Sequence, residues 1–266
     1  MQILRLVLTL FMAVVILWVP SQTLTALERT LSEDEVKFTF FHLTDGESLL
    51  ITTGRDKKIL INTGSKESEE DLVSQLDELE VQQIDYLILT NKRETSCGNT
   101  DVIIDKYNVT NVVSSTNQPC VNIQTSNIQT EKWEKGQTYE PSPGLIFKVL
   151  KVNQQAENMS FYITFGKNSM VFMSEGNEAI EDIIKELPIQ TEIIKIPDYA
   201  EKNFPSGELL DQLDPHIAII YDLKDKKLHA GLIERMTELW IDVYHLKRVG
   251  TVQIIFTPSD YEFVRE

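Results

Sequence analysis

The sequence predicts an α/β layered domain with a sheet that is parallel in part. Three observations point there. Short apolar runs of strand length recur along most of the chain. Segments with apolar residues at helical spacing fall between many of them, the alternation expected when crossover helices join parallel strands. No Pro- or Ser-rich stretch divides the body, and 266 residues are enough for one large core.

The elements follow in order. "VKFTFFHL" from Val36 reads as a strand, and "SLLITTG" and "KKILINTG" read as two more, with Gly54 at the turn between them. "ESEEDLVSQLDELE" places Leu72, Val73, Leu76 and Leu79 at helical spacing and loads its first turn with acid, as the helix dipole favours. "IDYLILT" is a short buried strand, "TDVIIDKYN" a helix and "VTNVVSS" a strand. Between Asn117 and Tyr139 the pattern blurs, and "IQTSNIQT" is expected to hold a strand or two. "GLIFKVLKV", "NMSFYITFG" and "NSMVFMSEG" predict three successive antiparallel strands. Helix "NEAIEDIIKELP", strand "TEIIKIP", helix "SGELLDQLDP", strand "HIAIIYD" and helix "AGLIERMTELW" follow, and "VYHL", "TVQIIFT" and "YEFVRE" close the chain as short strands.

Charge narrows the choice of partners. Lys plus Arg number 25 against 41 Asp plus Glu, a net −16 that repels polyanions, so nucleic acid and anionic lipid are poor partners. The densest basic run, "KDKKLH" near Lys224, reads as a solvated turn. The amino terminus differs from the body. "MQILR" precedes fourteen uncharged, mostly apolar residues, Leu6 to Val19, closed by Pro20. That is the pattern of a secretory signal, shorter than the ~20 residues of a full membrane span. Residues 1–26 are therefore expected to be a signal peptide or an uncleaved membrane anchor, the two standing as alternatives. Ala26 is a candidate −1 residue, but Leu24 is not the usual small residue at −3. Either way the body is expected outside the cytoplasm, secreted or anchored, with membrane contact only through this segment.

Cys97 follows the strand "YLILT" and Cys120 the strand "NVVSS". If those strands are neighbours in one parallel sheet, both thiols lie past carboxyl ends on one edge. A disulfide is then geometrically plausible, with two unpaired thiols as the alternative. His42, His216, His229 and His245 are not paired at metal-ligand spacing, and His42 reads as a satisfied, partly buried strand residue. Ser174 and Cys97 have no recognisable nucleophile context, and Ser96–Cys97 is the best place for covert chemistry. Asp198 and Lys202 in "IKIPDYAEKNF" are candidates for a site, though a solvated loop is the simpler reading.

The run from Phe38 to Ser115 resembles the metallo-β-lactamase fold, and in particular the extracellular domain of ComEC-type DNA-uptake proteins, in a match that spans roughly Val36 to Val264. "LTDGESLLI" keeps the glycine of the family's opening turn as Gly46, with Glu47 in the acidic place. "ILINTG" matches its Ile-Asp-Thr-Gly, with Asn62 for the Asp, and "TNKRETS" stands where the family has Thr-His-x-His-x-Asp-His. "SMVFMSEGNEAIEDIIKEL" looks like its strand, Gly-Asp turn and helix, with Asn177 for the bridging Asp. "EIIKIPDYAEKNF" looks like its Val-Pro-His-His-Gly-Ser segment, with Asp198, Tyr199 and Ala200 in place of His, His and Gly, and "TVQIIFTPSDYEFV" resembles its terminal hairpin.

The resemblance implies a four-layer αββα sandwich over residues 36–266 and a cleft where relatives bind two metal ions. It also implies that the ligands are gone. Asn91, Arg93, Thr95 and Ser96 replace the loop ligands; amide and hydroxyl groups hold zinc poorly, and a guanidinium repels it. Catalytic residues, metal and cofactor are accordingly expected to be absent. Asn62, Asn91, Arg93, Thr95, Ser96, Asn177, Asp198 and Tyr199 are expected to line a remnant pocket. The expected function is binding of a protein or small ligand by a catalytically inactive, exported or anchored member of this fold. The alternatives are a divergent metal-dependent hydrolase and an accessory protein of a ComEC-like uptake system.

Overall fold

The structure is a computed structural model describing residues 29–114, 128–153 and 158–264. The chain divides into residues 1–30 with Glu266, and residues 31–265; the predicted signal or anchor lies outside the described residues. Among those described, no helix is long and apolar enough to cross a membrane.

Strands β1 (Val36–Phe40), β2 (Leu49–Thr53) and β3 (Lys58–Ile61) form a meander, as their apolar runs predict. Helix α1 (Glu69–Glu78) leads to β4 (Tyr86–Leu89). The one-turn helix α2 (Glu94–Cys97) and helix α3 (Thr100–Lys106) lead to β5 (Asn111–Ser114), and β6 (Gln129–Lys132) follows. With the terminal hairpin β14 (Val252–Phe256) and β15 (Tyr261–Phe263), these strands make a sheet ordered β15-β14-β1-β2-β3-β4-β5-β6, parallel from β3 to β6.

The second sheet holds β7 (Thr138–Ser142), β8 (Leu145–Asn153), β9 (Asn158–Phe165), β10 (Asn168–Phe172), β11 (Ile193–Lys195), β12 (Ile217–Ile220) and β13 (Asp242–His245). Its order is β13-β12-β11-β10-β9-β8-β7, antiparallel from β7 to β10 and parallel from β10 to β13. Helices α4 (Glu178–Lys185), α5 (Gly207–Leu213) and α6 (Ala230–Glu238) join its parallel strands, and α7 (Leu246–Val249) is one further turn.

Strand alternation builds the layers. On β2, Leu49 and Ile51 enter a cluster with Phe161 and Phe172 of the opposite sheet, while Leu50 joins Leu72 and Leu76 of α1. On β11, Ile193 points to the inter-sheet core, and Ile194 packs with Ile180, Ile184 and Leu209 of the other helices. Side chains of period two on a strand allow nothing else once both faces are covered. The result is helix, sheet, sheet, helix. Trp133 anchors the far end of the inter-sheet core, stacked on Tyr139 at 4.4 Å and edge-on to Phe147 at 5.4 Å.

The departures from the sequence reading are local. Thr138–Ser142 gave no periodic signal because β7 is an exposed edge strand that carries Pro141, a residue such edges tolerate. "VYHL" is strand only to His245; Leu246 opens α7. Of "IQTSNIQT", residues 123–127 lie outside the described residues, and Gln129 begins β6.

Candidate functional site

The carboxyl ends of β3 and β4, together with those of β10 and β11, carry the loops that meet between the sheets. Parity on β11 decides what fills the centre. Ile193 faces inward and Ile194 outward, so Lys195 faces inward again, and its ammonium enters the inter-sheet space. There it pairs with Glu47, the two side chains being 1% and 3% exposed. Lys195 also donates to the Met173 carbonyl at 3.1 Å and lies 4.8 Å from the centre of the Phe172 ring.

Glu47 is the hub of the buried polar cluster. Its Oε1 accepts Asn62 Nδ2 at 2.7 Å and Ser96 Oγ at 3.3 Å. Asn62 Nδ2 also reaches Thr90 Oγ1 at 2.9 Å, and Asn62 Oδ1 accepts the Thr90 N–H at 2.9 Å. Asn91 Nδ2 donates to Ser96 Oγ at 3.1 Å, while its Oδ1 accepts the Arg93 N–H at 2.9 Å. Gly46 lets these segments close up. At φ +94° its position leaves no room for a side chain, since a Cβ would lie 2.3 Å from the Thr95 carbonyl oxygen.

Outside this cluster lies an open cleft of about 340 Å³ lined by Arg93, Glu94, Thr95, Asp198, Tyr199, Glu201, Lys202 and Leu223. Asp198 is 5% exposed, and both of its oxygens are taken. Arg93 donates to Oδ1 at 2.9 Å; Lys202 and the Gly176 N–H donate to Oδ2 at 2.8 and 2.9 Å. Burial pushes the Asp198 carboxyl up, but the hydrogen bonds from Lys202, Arg93 and Gly176 outweigh it and hold it below its usual value. Burial likewise opposes the Arg93 charge, and the bond and charge of Asp198 more than restore it, so the guanidinium titrates above its usual range. Burial, with the Glu47 charge adding to it, keeps the Tyr199 phenol protonated, and its OH donates to the Thr95 carbonyl at 3.3 Å.

Pro197–Ala200 is therefore no solvated loop: all four residues are buried, and Asp198, Tyr199 and Ala200 hold positive φ of 48°, 56° and 58°. The solvated-turn reading suits Lys224 and Lys226 better; both are half-exposed and paired with Glu67 and Glu201. Of the residues read from sequence, Asn62, Asn91 and Ser96 join the buried cluster, and Arg93, Thr95, Asp198 and Tyr199 line the cleft. Asn177 instead caps α4, its Oδ1 accepting the Ile180 N–H at 3.1 Å. Its neighbour Gly176 is what reaches Asp198. Lys195 was missed, although a lone cation at an inward position of a buried strand is a legible signal. Cys97 is disulfide-bonded; Cys120, the other cysteine of the chain, lies outside the described residues.

These donors do not fit a metal ion. Among the described residues no group of three or more His, Cys, Asp or Glu is placed to hold one. The buried carboxylates Glu47 and Asp198 are each bonded to resident cations, Glu47 to Lys195 and Asp198 to Arg93 and Lys202. A divalent ion would have to displace an ammonium or guanidinium and then lie beside it, which costs more than two neutral amide ligands return.

No family model and no curated protein matches the sequence. Solved structures do match the fold. The metallo-β-lactamase fold protein YhfI from Bacillus subtilis superposes with a TM-score of 0.60 at 13% identity, covering 79% of this chain and 95% of that one. A diphosphatase of the PhnP family gives a TM-score of 0.56 at 12% identity, covering 84% and 97%. The CmlA β-hydroxylase gives 0.55 at 10% identity, covering 84% and 54%. With two mixed sheets packed face to face and helices outside them, this chain has a metallo-β-lactamase-like fold.

Proposed function

We propose that this chain is a binding protein on a metallo-β-lactamase-like fold, held or released outside the cytoplasm, which performs no metal-dependent hydrolysis. The observation that carries the reading is the pairing of Asp198. On the sequence resemblance it takes the place of a metal-ligating histidine, and its two oxygens are taken by Arg93, Lys202 and the Gly176 N–H. The cleft keeps its place at the strand ends, where this architecture positions ligands, but its buried carboxylate is taken by resident cations. The apolar segment Leu6 to Val19 and the disulfide at Cys97 support placement outside the reducing cytoplasm. The order of motifs from Gly46 through Asn62 to Pro197 supports kinship with the ComEC-type extracellular domain.

The test is metal retention. The full chain is dialysed against excess zinc or manganese, freed of unbound ion, and assayed for bound metal. Retention near zero, with a thermal melt indifferent to chelator, is expected. Retention approaching about two equivalents, the content of a dinuclear hydrolase, would reverse the reading and restore the divergent hydrolase.

A further inference from the structure

We propose that the cleft binds a small organic oxyanion, a carboxylate or a phosphate monoester, through the unspent donors of Arg93 and Lys202. The inference rests on the binding reading above and names its ligand class. Asp198 sits at the back, 5% exposed, while the Arg93 and Lys202 side chains in front of it are 46% and 54% exposed. Acid behind and base in front leaves the cleft presenting donors.

The donor count supports this. A guanidinium carries five N–H groups and an ammonium three. Among the described residues the side chains of Arg93 and Lys202 make one hydrogen bond each, and both go to Asp198. That shared carboxylate also fixes the two cations side by side, so a second oxyanion meets an ordered pair rather than two loose chains. Such pre-organisation lowers the entropy lost on binding. The two other lining carboxylates, Glu94 and Glu201, have partners of their own. Glu94 Oε1 accepts the Lys66 N–H, and Glu201 is paired with Lys226 at 2.9 Å. The raised affinity of Arg93 for its proton keeps that donor charged at any working pH.

Size and wall chemistry define the body of the ligand. About 340 Å³ is at the small end of ligand pockets, and Leu223 and the Tyr199 ring add an apolar side. The protein's net −16 repels long polyanions. A single small anion feels mainly local groups, because screening at physiological salt acts within about 8 Å.

The full chain, kept in chelator at physiological salt, is titrated by calorimetry with benzoate, phenyl phosphate, acetate and inorganic phosphate. Benzoate or phenyl phosphate is expected to saturate one site, and the tighter of the two identifies the head group. Lys202→Gln and Arg93→Gln should each weaken it about tenfold, the worth of a charge-assisted hydrogen bond. Lys202→Gln guards against misfolding, because its side chain is half-exposed and Asp198 keeps Arg93 and Gly176; an unchanged melt verifies it. No saturable binding by any of the four, or binding unaltered in both variants, overturns the proposal. Equal affinity for acetate and benzoate, and for the two phosphates, overturns the organic body. Binding seen only after zinc is added sinks the metal-free reading as well, whereas absence with and without zinc sinks this inference alone.

Discussion

Lys195 and Glu47 pair in the inter-sheet core, one on the end of β11 and the other in the loop between β1 and β2, with neither more than 3% exposed. The pair stitches the two sheets together at the level of the cleft. Removing one partner of such a pair strands a charge without water and costs about 3–5 kcal/mol, whereas removing both leaves little to solvate. Lys195→Met should therefore lower the urea-unfolding free energy by that amount. The double variant Glu47→Gln with Lys195→Met should recover most of it, since the side-chain amide introduced on the β1–β2 loop would keep an oxygen for Asn62. A single-variant cost below about 1 kcal/mol, or a double variant no better than the single, would show that the pair is not what holds the sheets in register.

Asp198 makes stability depend on acid. Burial raises its pKa, but Lys202, Arg93 and Gly176 lower it further than burial raises it, so the folded value is below the ordinary 3.8 of the unfolded chain. A carboxyl lowered on folding contributes stability that is full above the unfolded value and is lost as pH falls through the folded one. Wild type should exceed Asp198→Asn in unfolding free energy at neutral pH, and the gap should close as pH drops below 3.8 toward the lower folded value. Urea melts across that range supply the comparison. A gap that stays constant into acid would mean that the charge of Asp198 contributes nothing.

Much of this was legible in the chain because periodicity carries through wherever an element has two buried faces. "SLLITTG" and "TEIIKIP" read as strands, and their alternate residues do divide between the inter-sheet core and the helix layers. The site was legible in its parts and not in its pairings. Arg93 and Asp198 were each singled out, but 105 residues separate them, and only the packing of two sheets brings them to 2.9 Å. Asn177 misled for a different reason. An Asn ahead of an acidic first turn is equally a helix cap, and the backbone claimed its oxygen first. β7 was silent because an exposed edge strand does not need an alternating pattern.

Ala200 offers the last test, of backbone strain at the cleft. It follows Asp198 and Tyr199 in a run of positive φ, and it is fully buried. A left-handed conformation costs a residue with a Cβ about 1–2 kcal/mol, and glycine escapes that cost. Ala200→Gly also gives up one buried methyl, worth about 0.8 kcal/mol, and adds the unfolded-state entropy of glycine, about 0.4–1 kcal/mol, so gain and loss nearly cancel. Ala218, equally buried in the middle of β12, has no positive φ to relieve. There the same substitution loses the methyl and adds the entropic cost of glycine in a strand, for about 1.5 kcal/mol in all. Urea melts of the two variants should separate them: Ala218→Gly destabilised, Ala200→Gly within about 1 kcal/mol of wild type in either direction. Equal losses at both positions would mean that the left-handed turn bearing Asp198 and Tyr199 is relaxed, and that the cleft's geometry is held without stored strain.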